Sequence, residues 1–210
     1  MNHKLNAIIS IFLLVILVSC DDDDDEVRVQ WGQIEFPGES TVYAVYGDLN
    51  DYLLISTPTK ILRTADGGKT WTTVKNVTTD PVGRFNPLND DLYAISNFTD
   101  YISHDQGQTW EAVAFDYPLD PFIFNFNDSK GTLYQVVAHS DGELGLPNSF
   151  LRSIDKGDSW ENVFPYKRAF YSWHIDANDR VYIGTSGAVW DGRFFTDDNP
   201  QFRAYLYYMK

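Results

Sequence analysis

The chain has a single cysteine, Cys20, among its 210 residues. One thiol closes no internal disulfide, so a disulfide-stapled scaffold is excluded. Basic residues are also scarce: 16 Lys and Arg stand against 30 Asp and Glu, a formal net charge of −14. That balance excludes nucleic-acid binding, because a phosphate backbone demands a basic face. It equally excludes docking by charge on an anionic membrane surface. Helix signals are nearly missing, and no apolar run reaches the roughly 20 residues that a transmembrane helix needs. The four histidines lack short metal-ligand spacing. There is no Gly-rich phosphate loop and no nucleophile-elbow pattern. No metal and no cofactor is expected.

What is abundant is aromatic side chain, 16% of residues with six Trp and thirteen Tyr. Many short strands are the expectation, and the fold class is all-β.

The N-terminus stands apart from this composition. Lys4 precedes an apolar stretch over residues 7–18, and Leu17-Val18-Ser19-Cys20 resembles a bacterial lipobox. The expectation is a signal peptide over residues 1–19 and a lipid on Cys20. An ordinary signal peptide or an uncleaved anchor is the alternative. Asp21-Asp22-Asp23-Asp24-Asp25-Glu26 follows. Six adjacent acids repel one another and stay solvated, so residues 20–26 read as a lipidated Cys on an acidic tether. Such acids resemble surface-export signals in some Gram-negative groups, and Asp after the Cys resembles a retention signal in others. The expected address is the bacterial cell envelope, at the outer membrane or cell surface, with periplasmic or exterior display open. Residues 27–210 are long enough for one domain with a sizeable core.

Three copies of a short pattern punctuate that domain: Thr64-Ala-Asp66-Gly-Gly68-Lys-Thr70-Trp71, Ser103-His-Asp105-Gln-Gly107-Gln-Thr109-Trp110 and Ser153-Ile-Asp155-Lys-Gly157-Asp-Ser159-Trp160. Each Trp is followed three residues later by Val74, Val113 or Val163. Repeats spaced by roughly 40 to 50 residues mark propellers, solenoids or arrays. A β-rich run precedes each box, over residues 52–56, 92–96 and 133–137, and a fourth run covers 181–185. Further strand candidates lie before these, over residues 41–46, 83–86, 121–126 and 170–175. Four strands per repeat predict propeller blades.

Trp31-Gly-Gln-Ile34 matches the Trp-x-x-Val pattern without a box, and the last repeat has neither. The expectation is therefore a small β-propeller of about four four-stranded blades, whose last blade is closed by the strand over residues 27–36. Such closure removes free sheet edges. A larger ring completed by a second copy, or an irregular last segment, are the alternatives.

The box residues suit a tight turn. Asp66, Asp105 and Asp155 accept backbone N–H groups, Gly68, Gly107 and Gly157 supply positive φ, and Trp71, Trp110 and Trp160 anchor the strands. These segments resemble Asp-box repeats, also called bacterial neuraminidase repeats, found in sialidases and many other β-propellers. The resemblance implies that the boxes lie on the outer rim, away from any central site. It also raises sialidase chemistry, which the chain does not support. The Arg-Ile-Pro motif is missing, and the arginines are scattered.

The repeat breaks down in two long loops between second and third strands, over residues 139–148 and 186–200. They supply the candidate ligand-binding residues: His139, Asp141, Glu143, Trp190, Asp191 and Arg193. Long loops in a small domain are usually functional. A non-catalytic binding or assembly module for a glycan or protein ligand is the first expectation, with lipid anchoring as its only membrane contact. A sialidase-like or other glycoside-acting enzyme is the alternative. It would need two carboxylates across a pocket, drawn from Asp141, Glu143, Asp191 and Asp197. His174, in the strand over residues 170–175, is placed by alternation with Ser172 and opposite Tyr171, Trp173 and Ile175.

Overall fold

Residues 29–78, 80–114, 127–140, 145–193, 195–196 and 203–210 are described by the computed structural model. Among them are sixteen strands and no helix, in four antiparallel sheets. Blade one is β2 (Ala44–Gly47), β3 (Leu53–Ser56), β4 (Lys60–Thr64) and β5 (Thr72–Asn76). Blade two is β6 (Arg84–Leu88), β7 (Asp91–Ile95), β8 (Asp100–Ser103) and β9 (Glu111–Val113). Blade three shows β10 (Leu133–Ser140), β11 (Gly145–Ser153) and β12 (Glu161–Asn162). Its expected inner strand, over residues 121–126, lies outside the described residues.

Blade four takes β13 (Arg168–Ile175), β14 (Val181–Trp190), β16 (Arg203–Met209) and, from the start of the chain, β1 (Trp31–Pro37). Ile34 faces Leu206 and Trp31 faces Met209 in this closing pair. The four sheets form a ring, a four-bladed β-propeller made within one chain. A small strand, β15 (Phe195–Thr196), adds to the far end of β14.

Burial explains why the second strand of a blade reads as a continuous apolar run. In β3, Leu53, Leu54 and Ile55 are all fully buried. Successive side chains point to opposite faces. Leu53 and Ile55 enter the seam with blade four, beside Phe36, Tyr182 and Leu206, whereas Leu54 enters the seam with blade two, beside Leu92 and Trp110. A third cluster joins Tyr134 and Phe150 of blade three to Phe170, Ile183 and Tyr207 of blade four. Burying each such side chain is worth about 2 kcal/mol. Outer strands do the reverse, and β12 is exposed along its length.

A second turn repeats just before the second strand of blades one, three and four. Asp48, Asp128 and Asp176 each accept the amide two residues ahead, from Asn50 (2.8 Å), Lys130 (3.0 Å) and Asn178 (2.8 Å). These turns also join across seams. Ser129 Oγ donates to Asp179 at 2.7 Å, and Asn178 donates to Asp48.

Three expectations need correction. The segment over residues 186–200 is not all loop, because β14 continues to Trp190 and β15 pairs back on it with Trp190 opposite Phe195. Likewise β10 and β11 carry ladder through most of residues 139–148, with only 141–144 between them and outside the described residues. The alternation in β13 also fails at one place. Trp173 and Ile175 face blade three, and Ser172 and His174 face blade one. Tyr171 sits between the pairs Phe170–Thr185 and Ser172–Gly184, an extra residue in a bulge, and its ring meets Tyr43 of blade one instead.

Candidate functional site

The blade ends divide into two faces. The boxes and the first-to-second turns occupy one end, where Lys210 N donates to Gln30 O at 3.0 Å beside Trp31. The opposite end carries the second-to-third connections and the blade-to-blade links. There the bulge at Tyr171 lifts its ring out of the ladder to 54% exposure. Bulges bend a strand and re-aim a side chain in this way. Tyr43 holds the ring edge-on, with centroids 5.5 Å apart and planes at 68°. Sequence reading missed this pair, since nothing local to residues 170–175 signals an inserted residue.

The residues singled out from sequence are placed as follows. Trp190 and Phe195 form a cross-strand edge contact at 5.4 Å, and Trp190 N donates to Lys167 O at 2.8 Å. Asp191 Oδ1 accepts Arg193 N at 2.8 Å while Gly192 takes φ +107, so Asp191 and Arg193 shape the β14–β15 turn. His139 is exposed and its Nε2 meets Ser149 Oγ at 2.9 Å. Asp141, Glu143 and Asp197 lie outside the described residues, as does Cys20. Of the four carboxylates offered for glycoside chemistry, only Asp191 is described.

On the other end, the three boxes are closed by one hydrogen-bond scheme. Asp66 Oδ1 accepts Thr64 Oγ1 (2.8 Å), Lys69 N (3.0 Å) and Thr70 N (2.9 Å), and its Oδ2 accepts Thr70 Oγ1 (2.6 Å). Asp105 takes Ser103 Oγ, Gln108 N, Thr109 N and Thr109 Oγ1 in the same way. Asp155 takes Ser153 Oγ, Ser159 N and Ser159 Oγ. The leading hydroxyl accepts the amide of Gly68, Gly107 or Gly157, and each Trp indole donates to that glycine's carbonyl at 3.1 to 3.2 Å. Residues 101–112 match the family model described as the BNR/Asp-box repeat. The second turn is an Asp-box. The first shares all four of these carboxylate bonds and the third shares three.

Solved structures with likeness to this chain include a "YCF48 bound to D1 peptide", at 15% identity and TM-score 0.33, covering 78% of this chain and 54% of that one. A Niastella koreensis GH74 enzyme shares 18% identity, TM-score 0.27, over 79% and 27%. A Trypanosoma rangeli sialidase shares 10%, TM-score 0.23, over 83% and 30%. The chain thus spans little more than half, or less, of each of these proteins' lengths. Likeness at this level transfers no activity or ligand. No curated protein matches.

Asp-box carboxylates are poor candidates for acid–base work. Hydrogen bonds from Thr70 hold Asp66 down to about 2, and those from Ser159 do the same for Asp155. Burial pushes Asp105 up, yet the donors of Thr109, Ser103 and Gln108 outweigh it and bring it to about 2 as well. A general acid or base near neutral pH needs the opposite tuning. His104, in the second box, is raised by its hydrogen bond and ion pair with Asp91 and is tied to Glu111 as well. A cleft of about 380 Å³ separates the first two boxes, between Arg63, Asp66 and Gln108. Arg63 is occupied there, donating to Gln106 O at 3.2 Å and covering the Tyr52 ring. Among the described residues, no group of three His, Cys, Asp or Glu side chains gathers as a metal site.

His174 faces blade one. Its Nε2 lies 3.1 Å from Gly47 O and 3.3 Å from Gly47 N, between the rings of Tyr46 and Tyr182. Burial pushes its pKa down to about 4, so the ring is neutral and structural at pH 7.

Proposed function

We propose that this protein is a non-catalytic binding module, displayed on the bacterial cell envelope by a lipid on Cys20 and the acidic tether that follows. Its ligand face is the end opposite the Asp-boxes. The observation that carries this reading is the division of labour between the two ends. Box carboxylates are saturated by their own turns, whereas at the other end Tyr171 is bulged outward and held against Tyr43. Large rigid aromatic side chains with a polar tip are the residues that recognition surfaces favour. Gln30, bonded to Lys210 N, lies on the box end. A lipid there leaves the Tyr171 end turned outward.

The test compares the full chain with Tyr171→Ala/Trp190→Ala and with Lys156→Ala on the box end, in binding to glycan arrays and to envelope extracts. Loss in the first variant alone supports the reading. Equal binding by all three, or hydrolysis of aryl-glycosides by the wild type, removes it. Mass spectrometry of the mature N-terminus decides the lipid on Cys20.

A further inference from the structure

We infer that the outer seam of blades one and two is a seat for an acidic peptide, with Arg63 and Lys75 as the groups that take its carboxylates. The seat lies on the box end and is separate from the ligand face at the other end. Arg63 and Arg152 occupy the same place in their blades, one residue before the leading hydroxyl of the box. Arg152 stands opposite Glu161 and donates to its carboxylate from Nε, at 2.8 Å, and from Nη2. Arg63 stands opposite Thr72. The residue after the box Trp is glutamate in blades two and three and threonine in blade one. Blade one therefore carries the arginine without its carboxylate.

Neutral groups orient the guanidinium of Arg63 instead. Its Nε donates to Gln106 O at 3.2 Å, and its guanidinium carbon lies 5.0 Å from the centre of the Tyr52 ring. A carbonyl and an aromatic face position a cation without cancelling its charge. Among the described residues, no hydrogen bond or ion pair takes Nη1 or Nη2. The end-on fork, which receives a carboxylate through two parallel bonds, is thus open. It lines the cleft of about 380 Å³ together with Thr72, Val74 and Gln108. Asp66 also lines that cleft, but four donors of its own box take its two oxygens.

Lys75 repeats the arrangement on the same seam. Its Nζ donates to Trp110 O at 3.3 Å and lies 4.6 Å from the centre of the Tyr101 ring, with no carboxylate partner among the described residues. Both cations hold the second box, at carbonyls four residues apart. Four residues reach at most about 14 Å even when extended. Glutamates two or three places apart on an extended peptide are separated by about 7 to 10 Å, so one peptide can meet both cations. What the seat lacks is a glutamate side chain, the group that fills it in blade three. The net charge of −14 opposes an anion at long range, so the seat selects at contact and not by steering.

The experiment titrates the full chain with rhodamine-labelled hexaglutamate and hexaglutamine, read by fluorescence anisotropy at physiological salt, where charge repulsion is screened beyond about 8 Å. Hexaglutamate binds, and hexaglutamine binds about tenfold or more weakly. Arg63→Gln weakens hexaglutamate by about tenfold or more, and Lys75→Gln weakens it severalfold. Thr72→Glu supplies the missing carboxylate within the chain. It closes the seat as fully as Arg63→Gln does without lowering the melting temperature, an outcome that misfolding does not give. Tyr171→Ala/Trp190→Ala shifts hexaglutamate affinity by less than about threefold, so the seat and the opposite ligand face stand or fall separately. Silence towards hexaglutamate overturns the seat, as does equal affinity in wild type, Arg63→Gln and Thr72→Glu. Tighter binding of hexagalacturonate than of hexaglutamate, with the same dependence on Arg63, overturns the peptide assignment.

Discussion

Trp31 donates its indole N–H to the carbonyl of Val163 across 2.7 Å, tying the first strand of the chain to blade three, 132 residues away. The other three repeat tryptophans, Trp71, Trp110 and Trp160, donate to a box glycine three residues before them. Trp31 has no box, and an acceptor from the neighbouring blade takes its place. Its ring also meets Phe164 edge-on at 5.3 Å. Ring closure therefore depends on this side chain twice, through a hydrogen bond and through packing. Trp31→Phe should cost about 1 kcal/mol of stability and Trp31→Ala about 3 kcal/mol, measured by urea unfolding. Equal midpoints for wild type and Trp31→Ala would show that the closing strand adds no stability.

The boxes hold an unused margin of stability. Each needs two consecutive residues at positive φ. The first box has Gly67 (φ 74) and Gly68 (φ 82), but the others place Gln106 (φ 58) and Lys156 (φ 62) before Gly107 and Gly157. A non-glycine residue in the left-handed region costs roughly 1 kcal/mol. Gln106→Gly and Lys156→Gly should each raise stability by about 0.5 kcal/mol or more, since the backbone carbonyl of residue 106 that Arg63 uses is unchanged. Gly107→Ala goes the other way, because a Cβ there falls 2.5 Å from Leu54 Cδ1 as well as taking the strained φ. A loss of about 2 kcal/mol or more is expected, read as a fall in melting temperature of several degrees.

These contrasts show how far the residues alone could lead. The blade count and the closing strand were legible because Trp-x-x-Val recurs at Trp31, Trp71, Trp110 and Trp160, and a repeated pattern reports a repeated environment. The turn role of the box aspartates was legible for the same reason. The second glycine-like position was not, since Gln106 and Lys156 carry no mark of positive φ. Nor was the bulge at Tyr171, which lies beside the point where residues 186 and 187 of β14 leave the ladder to pair with Thr41 and Ser40 of the β1–β2 link. That contact lies roughly 145 residues away along the chain, beyond the reach of local pattern. The turns at Asp48, Asp128 and Asp176 did leave a trace, an Asp with Asn, Asp or Gly two or three residues on.

Acid should unfold the protein in two separable stages. His174 is depressed to about 4 by burial, against 6.5 in an unfolded chain. The folded state resists protonation that the unfolded state accepts, so the stability linked to this ring is fully present above about 6.5. It falls as pH drops towards about 4, by up to roughly 3 kcal/mol. The groups facing the ring are Gly47, Tyr46, Tyr182 and the nearby carboxylates Asp176 and Asp48. Asp66, Asp105 and Asp155, each lowered to about 2, contribute stability that is present above about 4 and lost between about 4 and 2. His174→Gln should flatten the unfolding midpoint between pH 6.5 and 4 while leaving the steep loss below pH 4. A wild-type profile that is already flat across the upper window would contradict the depressed histidine.

Buried Asp176 presents a sharper case than the rim aspartates. Its carboxylate accepts Tyr182 Oη at 2.7 Å, Asn178 N at 2.8 Å and Arg180 N at 2.9 Å, and Tyr182 Oη in turn accepts Leu49 N at 3.0 Å. One chain of bonds thus runs from the β13–β14 turn, through the tyrosine, to the backbone of blade one. Tyr182→Phe strands the buried amide of Leu49 and removes one donor from Asp176, a loss of about 1 to 3 kcal/mol. Asp176→Ala leaves the Tyr182 hydroxyl and two turn amides without their acceptor and should cost more. Because the two residues share one network, the double variant should be less damaging than the sum of the singles by about 0.5 kcal/mol or more. Strict additivity in urea unfolding would mean that the turn and the seam are stabilised separately, and that blade four does not use Tyr182 to hold blade one.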